Sequence, residues 1–275
     1  LFLALREQLR TRTITNATFA PTSPSLFAGL KLPREFSSQL SFGEKTLNRL
    51  LPGVTIQRSV FVAQHRMDDS GIALLRNSGV TSVLLLQAAV TDTNSEKSRY
   101  LLAHPSTKGS ESTAVISTIS TNFTPGVTGS KRDAYRIAAG VLVERDDLLA
   151  AGNDPSVVRL ALPIDIANSA KVDAAVSASM TLAATLGVTD VDMSLPQTID
   201  AATPAINFGR APTKWDTSRV ASISAARTEL TAVSSMLEEG DLRRNIWPAL
   251  LGIGTSTAVE NPSDYVSSLR KKLRA

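Results

Sequence analysis

Acid–base chemistry in this sequence would depend on very few side chains. The chain has no cysteine and two histidines, His65 and His104. A thiolate nucleophile is therefore excluded, and a metal-dependent deacetylase, which needs an Asp with two His at helical spacing, cannot be built from these two residues. The sequence predicts no metal site.

Candidate catalytic residues follow predicted strands. Asp165 and Asp68 could act as the paired carboxyls of a glycoside hydrolase, which stand roughly 5 to 9.5 Å apart. His65 could act as a general base or bind sugar hydroxyls. A structural role remains open for each of them. A lone His is often structural, and an Asp before a helix fits an N-cap, as Asp68, Asp69 and Asp165 do.

Further polar residues also follow the ends of predicted strands. In parallel α/β folds the ligand site lies beyond the carboxyl ends of the strands. The residues predicted to bind a ligand there are Gln64, Gln87 and Asn122, and other residues predicted at strand ends are Pro21, Thr22, Pro163 and Ser194.

Phosphate-binding motifs are absent from the sequence. Gly126 and Gly129 precede Lys131 between a predicted strand and a helix, but two residues separate these glycines where a P-loop has four. No dinucleotide fingerprint and no Gly-x-Ser-x-Gly elbow occur, so we expect no cofactor.

Short β-branched runs alternate with helical patterns along the chain, which predicts βαβ units and a parallel sheet. The predicted strands are 15–20, 59–63, 80–86, 113–119, 157–162 and 188–193. The predicted helices are 34–51, 69–79, 130–152, 172–187, 216–240 and 261–273. A polar segment at 91–112 is expected to be a long loop, or part of a hairpin with the strand at 113–119.

The alternation predicts an α/β fold. A complete eight-stranded barrel takes about 250 residues and eight clear strands, and this chain shows fewer. We therefore expect a reduced or partial (β/α) barrel with mostly parallel strands and a helical C-terminal end, with an open doubly wound sheet as the alternative.

Composition narrows the possible partners. The 275 residues carry 29 Lys and Arg against 25 Asp and Glu, and aromatic residues make up 5%. Because the basic residues are spread out, nucleic-acid binding is not expected. The basic run at 270–274 closes a helical pattern, where the helix dipole favours cations. No apolar run is long enough to insert into a membrane.

Several segments follow one another in a recognisable order, namely Phe19-Ala20-Pro21, 26–30, Phe42-Gly43-Glu44, Met67-Asp68-Asp69 and 79–84. In this order the chain resembles a family of uncharacterised large exported actinobacterial proteins of the cell envelope. Members often have a Trp-Pro-x-x-Gly turn where this chain has residues 63–66. The resemblance covers most of the chain from about residue 15.

The resemblance implies a glycoside-hydrolase-like or deacetylase-like barrel between other extracellular domains, with a membrane anchor elsewhere in the parent protein. It also implies an extracytoplasmic location and a link to peptidoglycan-precursor export. Residues 1–275 are accordingly expected to be one domain, cut from a longer exported protein.

Three functions remain open. The first is a non-catalytic or degenerate hydrolase-like barrel that binds glycan or an envelope protein. The second is a glycoside hydrolase acting on envelope polysaccharide, with Asp165 as a catalytic carboxylate. The third is a structural spacer, against which the long polar segment at 91–112 argues.

Overall fold

A parallel β-sheet flanked by helices forms the framework of the computed structural model. The structure describes residues 13–63, 67–86, 102–105, 113–120, 131–150, 160–161, 205–206, 208, 217–256, 259 and 261–274, with residues 178 and 181. The predicted α/β class is confirmed.

The described strands are β1 (Thr13–Asn16), β2 (Thr55–Ala63), β3 (Ser82–Leu86), β4 (Leu102–Pro105), β5 (Ala114–Ser120), β6 (Leu160–Ala161) and β7 (Ala205–Ile206). The pairs β1–β2, β2–β3, β3–β5 and β5–β6 are all parallel. Strand β4 pairs antiparallel with β5 and parallel with β7. Strands β1, β2, β3, β5 and β6 lie beside one another in chain order, whereas β7 lies beside β4.

The described helices are α1 (Pro24–Gly29), α2 (Pro33–Leu50), α3 (Asp69–Asn77), α4 (Lys131–Ala150), α5 (Thr217–Met236), α6 (Arg243–Gly254) and α7 (Pro262–Arg274). Proline stands at the start of α1 and α2, where its missing N–H costs nothing. Gly79 follows α3 with a φ of +90°, a conformation that glycine adopts without strain.

Two apolar clusters hold these elements together. The first joins the sheet to α1, α2 and α3, and Phe36 at its centre contacts the rings of Phe27 and Phe61 at centroid distances of 6.0 and 6.2 Å. The second lies between α5, α6 and α7 around Ile223 and Leu251. Burial of these apolar faces is the main stabilising contribution to both parts.

Several predicted boundaries shift in the structure. The first strand spans Thr13–Asn16 instead of 15–20; its pairing register with β2 shifts between Thr15 and Asn16, and Asn16 is its last paired residue. The long C-terminal helix ends at Met236, four residues before the predicted Gly240. Helix α1 and strand β7 are not among the predicted elements, and β4 lies within the segment 91–112, where it pairs antiparallel with β5 as a hairpin would. The predicted helix at 172–187 and strand at 188–193 fall almost entirely outside the described residues.

Candidate functional site

A cavity of about 430 Å³ opens at the carboxyl ends of β1 and β2. Its walls are Thr15 to Phe19, Pro21, Thr22 and Pro24 on one side and Phe61, Val62 and Ala63, the end of β2, on the other. We call it the β1–β2 cavity. It lies where a parallel sheet is expected to bind ligands, and it includes Pro21 and Thr22, which the sequence places at a strand end.

The segment after β1 is shaped by Asn16. This buried side chain accepts a hydrogen bond from the backbone N–H of Ala17 through Oδ1, at 2.9 Å. Such a bond turns the chain locally and competes with continued strand pairing. The strand ends here, and residues 17–19, 21 and 22 line the cavity.

Helix α2 supports this segment from behind. The backbone N–H of Phe19 donates to the carbonyl of Gln39 at 3.0 Å, and that of Ala20 donates to Oε1 of Gln39 at 3.1 Å. Gly43, one turn further along α2, lies so close that an added Cβ would stand 1.9 Å from the carbonyl oxygen of Ala17. A glycine is required at this point in the helix for close contact rather than for flexibility.

The C-terminal helices support the same segment. Nε2 of Gln39 donates to Oγ1 of Thr255 at 3.1 Å, just after α6. The hydroxyl of Ser256 donates to the carbonyl of Pro21 at 3.1 Å. Residues that follow α6 thus hold a cavity wall formed near residue 20.

Thr22 is the one cavity residue with an unpaired buried hydroxyl among those the structure describes. The residue is 7% exposed, and its Oγ1 is buried with no hydrogen-bond partner in the described part of the chain. An unpaired buried polar atom costs free energy, so such atoms merit an explanation. A bound ligand that pairs with this hydroxyl would supply one.

The described part of the cavity lining is neutral. It combines hydroxyl and amide side chains with aromatic and proline rings, and none of the described residues that line the cavity is ionisable. One of the rings, Phe19, is held edge-on by Phe42 at a centroid distance of 5.7 Å. Pockets of about 300–1,000 Å³ with apolar walls and a few placed polar groups are typical of small-ligand sites.

The candidate Asp68 serves as the N-cap of α3. Its Oδ1 accepts from the backbone N–H of Gly71 at 2.8 Å and from the hydroxyl of Ser70 at 2.7 Å. Its own N–H donates to Oγ of Ser25 at 2.8 Å, and the residue is 6% exposed. The capping interpretation is confirmed for Asp68, whereas Asp69 is the first residue of the helix. Asp68 does not line the β1–β2 cavity.

The other predicted site residues lie outside the described part of the chain. These are Gln64, His65, Gln87, Asn122 and Asp165. Ala63, which precedes Gln64 in the sequence, lines the cavity. The residues that sequence reasoning missed are Thr15, Asn16, Thr18 and Phe19, which it assigned in part to the first strand. The polar and turn-forming residue types among them could have indicated that this segment leaves the strand.

The described residues contain neither a candidate metal-binding group nor a candidate membrane-spanning helix. No group of three His, Asp or Glu lies close enough within them to hold a metal ion. No described helix has the length and apolar character needed to cross a membrane.

Comparison with known proteins gave no match. No protein-family model matches the sequence, and no curated protein is significantly similar to it.

Proposed function

We propose that this chain is a non-catalytic, barrel-like domain that binds a glycan in the β1–β2 cavity. The observation that carries the proposal is the cavity itself, which combines neutral hydroxyl and amide groups with aromatic and proline rings at the carboxyl ends of parallel strands. Sugars present hydroxyl groups around an apolar ring, so they match a lining of this kind.

The order of the strands supports a partial (β/α) barrel. Strands β1, β2, β3, β5 and β6 lie side by side in chain order and run parallel. A doubly wound sheet would reverse this order at a switch point, and these five strands contain no such reversal, whereas β4 lies beyond β5 and pairs with β7. A barrel of this kind brings the strand ends, and hence the loops that follow them, to one face.

Binding without cleavage is favoured because the described lining of the cavity contains no carboxyl group. Glycoside hydrolysis needs two of them across the scissile bond. The described residues that line the cavity include none, and Oδ1 of Asp68 is already paired with Gly71 and Ser70. The competing hypothesis is a glycoside hydrolase in which Asp165 supplies the chemistry.

The source of the glycan follows from the resemblance to exported actinobacterial proteins. We infer a polysaccharide of the cell envelope as the physiological ligand. An envelope protein, such as a component of peptidoglycan-precursor export, is the alternative partner that the same resemblance implies.

The test is a glycan array combined with an assay for released reducing sugar. We expect the 275-residue chain to bind at least one envelope-type glycan and to release no sugar. Binding should be lost in Ala17→Trp, because Ala17 is an exposed residue of the cavity wall and a Trp ring would fill the space. The matched control is Ala139→Trp, an exposed position on α4.

Two results would contradict the proposal. Release of sugar that Asp165→Asn abolishes would establish the hydrolase instead. Glycan binding that survives in Ala17→Trp would show that the ligand binds elsewhere.

A further inference from the structure

We propose that a second copy of this chain docks where α5 ends and α6 begins, so that the protein forms a symmetric dimer. The docking surface consists of Met236, Leu242 and Ile246, and we call it the helix-end patch. This inference does not rest on glycan binding in the β1–β2 cavity.

The helix-end patch is apolar and exposed. Met236 is 81% exposed and Leu242 is 72% exposed, the two highest values among the exposed large hydrophobic residues that the structure describes. Ile246 is 50% exposed. Large apolar side chains that are exposed singly are ordinary, whereas a group of them is typical of an interaction site.

The three residues belong to one region of the surface. The backbone N–H of Ile246 donates to the carbonyl of Leu242 at 3.0 Å, so these two residues lie one turn apart on the same face at the start of α6. The guanidinium of Arg244 donates to the carbonyl of Leu237, the residue after Met236. The end of α5 is therefore held against the first turn of α6.

The helix-end patch has an acidic rim. Glu238 and Glu239 are both exposed and lie in the turn between α5 and α6. The carboxylate of Asp241, in the same turn, is paired with Arg243. The acidic rim, Glu238 and Glu239, thus presents two negative charges beside the apolar residues.

A basic surface lies further back along the same group of helices. Arg270 of α7 pairs with Glu229 of α5 at 2.8 Å. Lys271 and Lys272 are both exposed and follow Arg270, so they lie near the same level of α5. Because Met236 stands seven residues beyond Glu229, the helix-end patch lies about 10 Å further along the helix axis.

These charges favour a second copy as the occupant. In a dimer with twofold symmetry each contact occurs twice, with the two copies exchanging roles. When two helix ends overlap side by side in opposite directions, the apolar patches meet in the middle. The acidic rim of each copy then reaches the basic surface of the other, and opposite charges at this offset favour that register. The surface is complementary to itself.

The first test measures the mass of the 275-residue chain by sedimentation equilibrium between about 10 µM and 1 mM. Three side chains make a small apolar centre, and small interfaces belong to transient complexes. We therefore expect the mass to rise with concentration from 29.2 kDa towards twice that value. A chain that stays monomeric over the whole range would overturn the proposal.

The second test locates the interface. Leu242→Glu should weaken the dimer at least about tenfold, because it places a charge in the apolar centre. The matched control is Leu149→Glu, which changes a leucine that is 53% exposed on α4, and it should dimerise like the wild type. A dimer that survives in Leu242→Glu would show that the copies meet elsewhere, and would overturn the proposal.

The third test reverses the charges. One variant carries Glu238→Lys and Glu239→Lys, and the other carries Lys271→Glu and Lys272→Glu. Each variant alone should dimerise at least about tenfold more weakly than the wild type, because like charges then face each other. Since all four residues are exposed, both variants should fold, which circular dichroism verifies.

An equimolar mixture of the two charge variants distinguishes a second copy from any other occupant. In the mixed dimer each reversed rim faces a reversed or an unchanged surface of opposite sign, so we expect dimerisation to return. A mixture that stays monomeric would mean that something other than a second copy covers the patch, and would overturn the proposal. Charge variants that dimerise as well as the wild type when alone would overturn it too.

Discussion

At the scale of single residues, the β1–β2 cavity depends on side chains that do not line it. Gly43 and Gln39 of α2 lie behind the wall, and Gly43 permits a backbone contact that a methyl group would prevent. In the sequence, Gly43 looks like a weak point in a predicted helix. The structure shows that the position is constrained by packing, which no local pattern reveals.

Gly43→Ala should destabilise the protein by about 1–3 kcal/mol, because the added Cβ meets the backbone of Ala17 rather than a flexible side chain. Glycan affinity should fall with it, since Ala17 lines the cavity. Urea unfolding and the array measure the two effects. Ser37→Ala, at an exposed position of the same helix, is the control. A stable Gly43→Ala variant would contradict the close contact.

Asp68 provides a second prediction at this scale. Asp68→Ala should lower the free energy of unfolding by about 1–2 kcal/mol through loss of the N-cap, and Asp68→Asn should retain most of it because Asn caps nearly as well. Urea denaturation of both variants is the measurement. An equal loss in the two variants would show that the charge, rather than the capping oxygen, is what matters.

At the scale of elements, helix α5 is joined to α7 by an ion-pair network. Glu229 accepts from Arg270 at 2.8 and 3.0 Å and also pairs with Arg274. These hydrogen bonds, and then the positive charges themselves, lower the pKa of Glu229 from 4.5 to about 2. The basic run near the C-terminus therefore has a specific partner in addition to the helix dipole.

The lowered pKa predicts how stability depends on pH. As pH falls from about 4.5 towards 2, the unfolded chain takes up a proton at Glu229 before the folded chain does, so the stabilisation by this carboxylate is lost over that range. Glu229→Gln should be less stable than wild type by up to about 1 kcal/mol at pH 7, and the difference should disappear near pH 2.

Urea unfolding of both proteins across this pH range tests the prediction. The matched control is Glu238→Gln, which replaces an exposed carboxylate near the end of α5. A difference between wild type and Glu229→Gln that stayed constant from pH 7 to pH 2 would contradict it.

Elements with a long, clear pattern were predictable from the sequence. The helix predicted at 34–51 is confirmed as α2, and the predicted βαβ unit is confirmed as β2, α3 and β3. Helix α1 has only six residues, too few for a helical period to emerge. Strand β4 is four residues long, lies within the polar segment at 91–112, and pairs antiparallel with β5.

At the scale of the whole molecule, Gln39 connects the cavity wall to the C-terminal helices. Its amide joins the backbone of Ala20 to Thr255, residues far apart in the sequence. The general position of the site, beyond the ends of parallel strands, could be predicted from the alternating pattern. Its detailed lining could not, because it depends on contacts such as this one between distant parts of the chain.

Gln39→Leu should reduce the free energy of unfolding by about 2–3 kcal/mol, because it leaves the Ala20 N–H without its acceptor and removes the donor to Thr255. Glycan affinity should also fall, although Gln39 does not line the cavity. Chemical denaturation and calorimetry measure the two effects. Asn48→Leu, an exposed amide on the same helix, should change neither. Normal affinity in Gln39→Leu would show that the wall holds its shape without this link.

The contact between Ser256 and Pro21 also bears on how the protein is made. The two residues are 235 positions apart, which corresponds to roughly 10–50 s of translation at ordinary ribosomal rates. The wall around Pro21 is made first, and the hydroxyl that binds it is made 235 residues later. A nascent chain that has not reached Ser256 therefore lacks this contact, and ligand binding should begin only after Ser256 has been made.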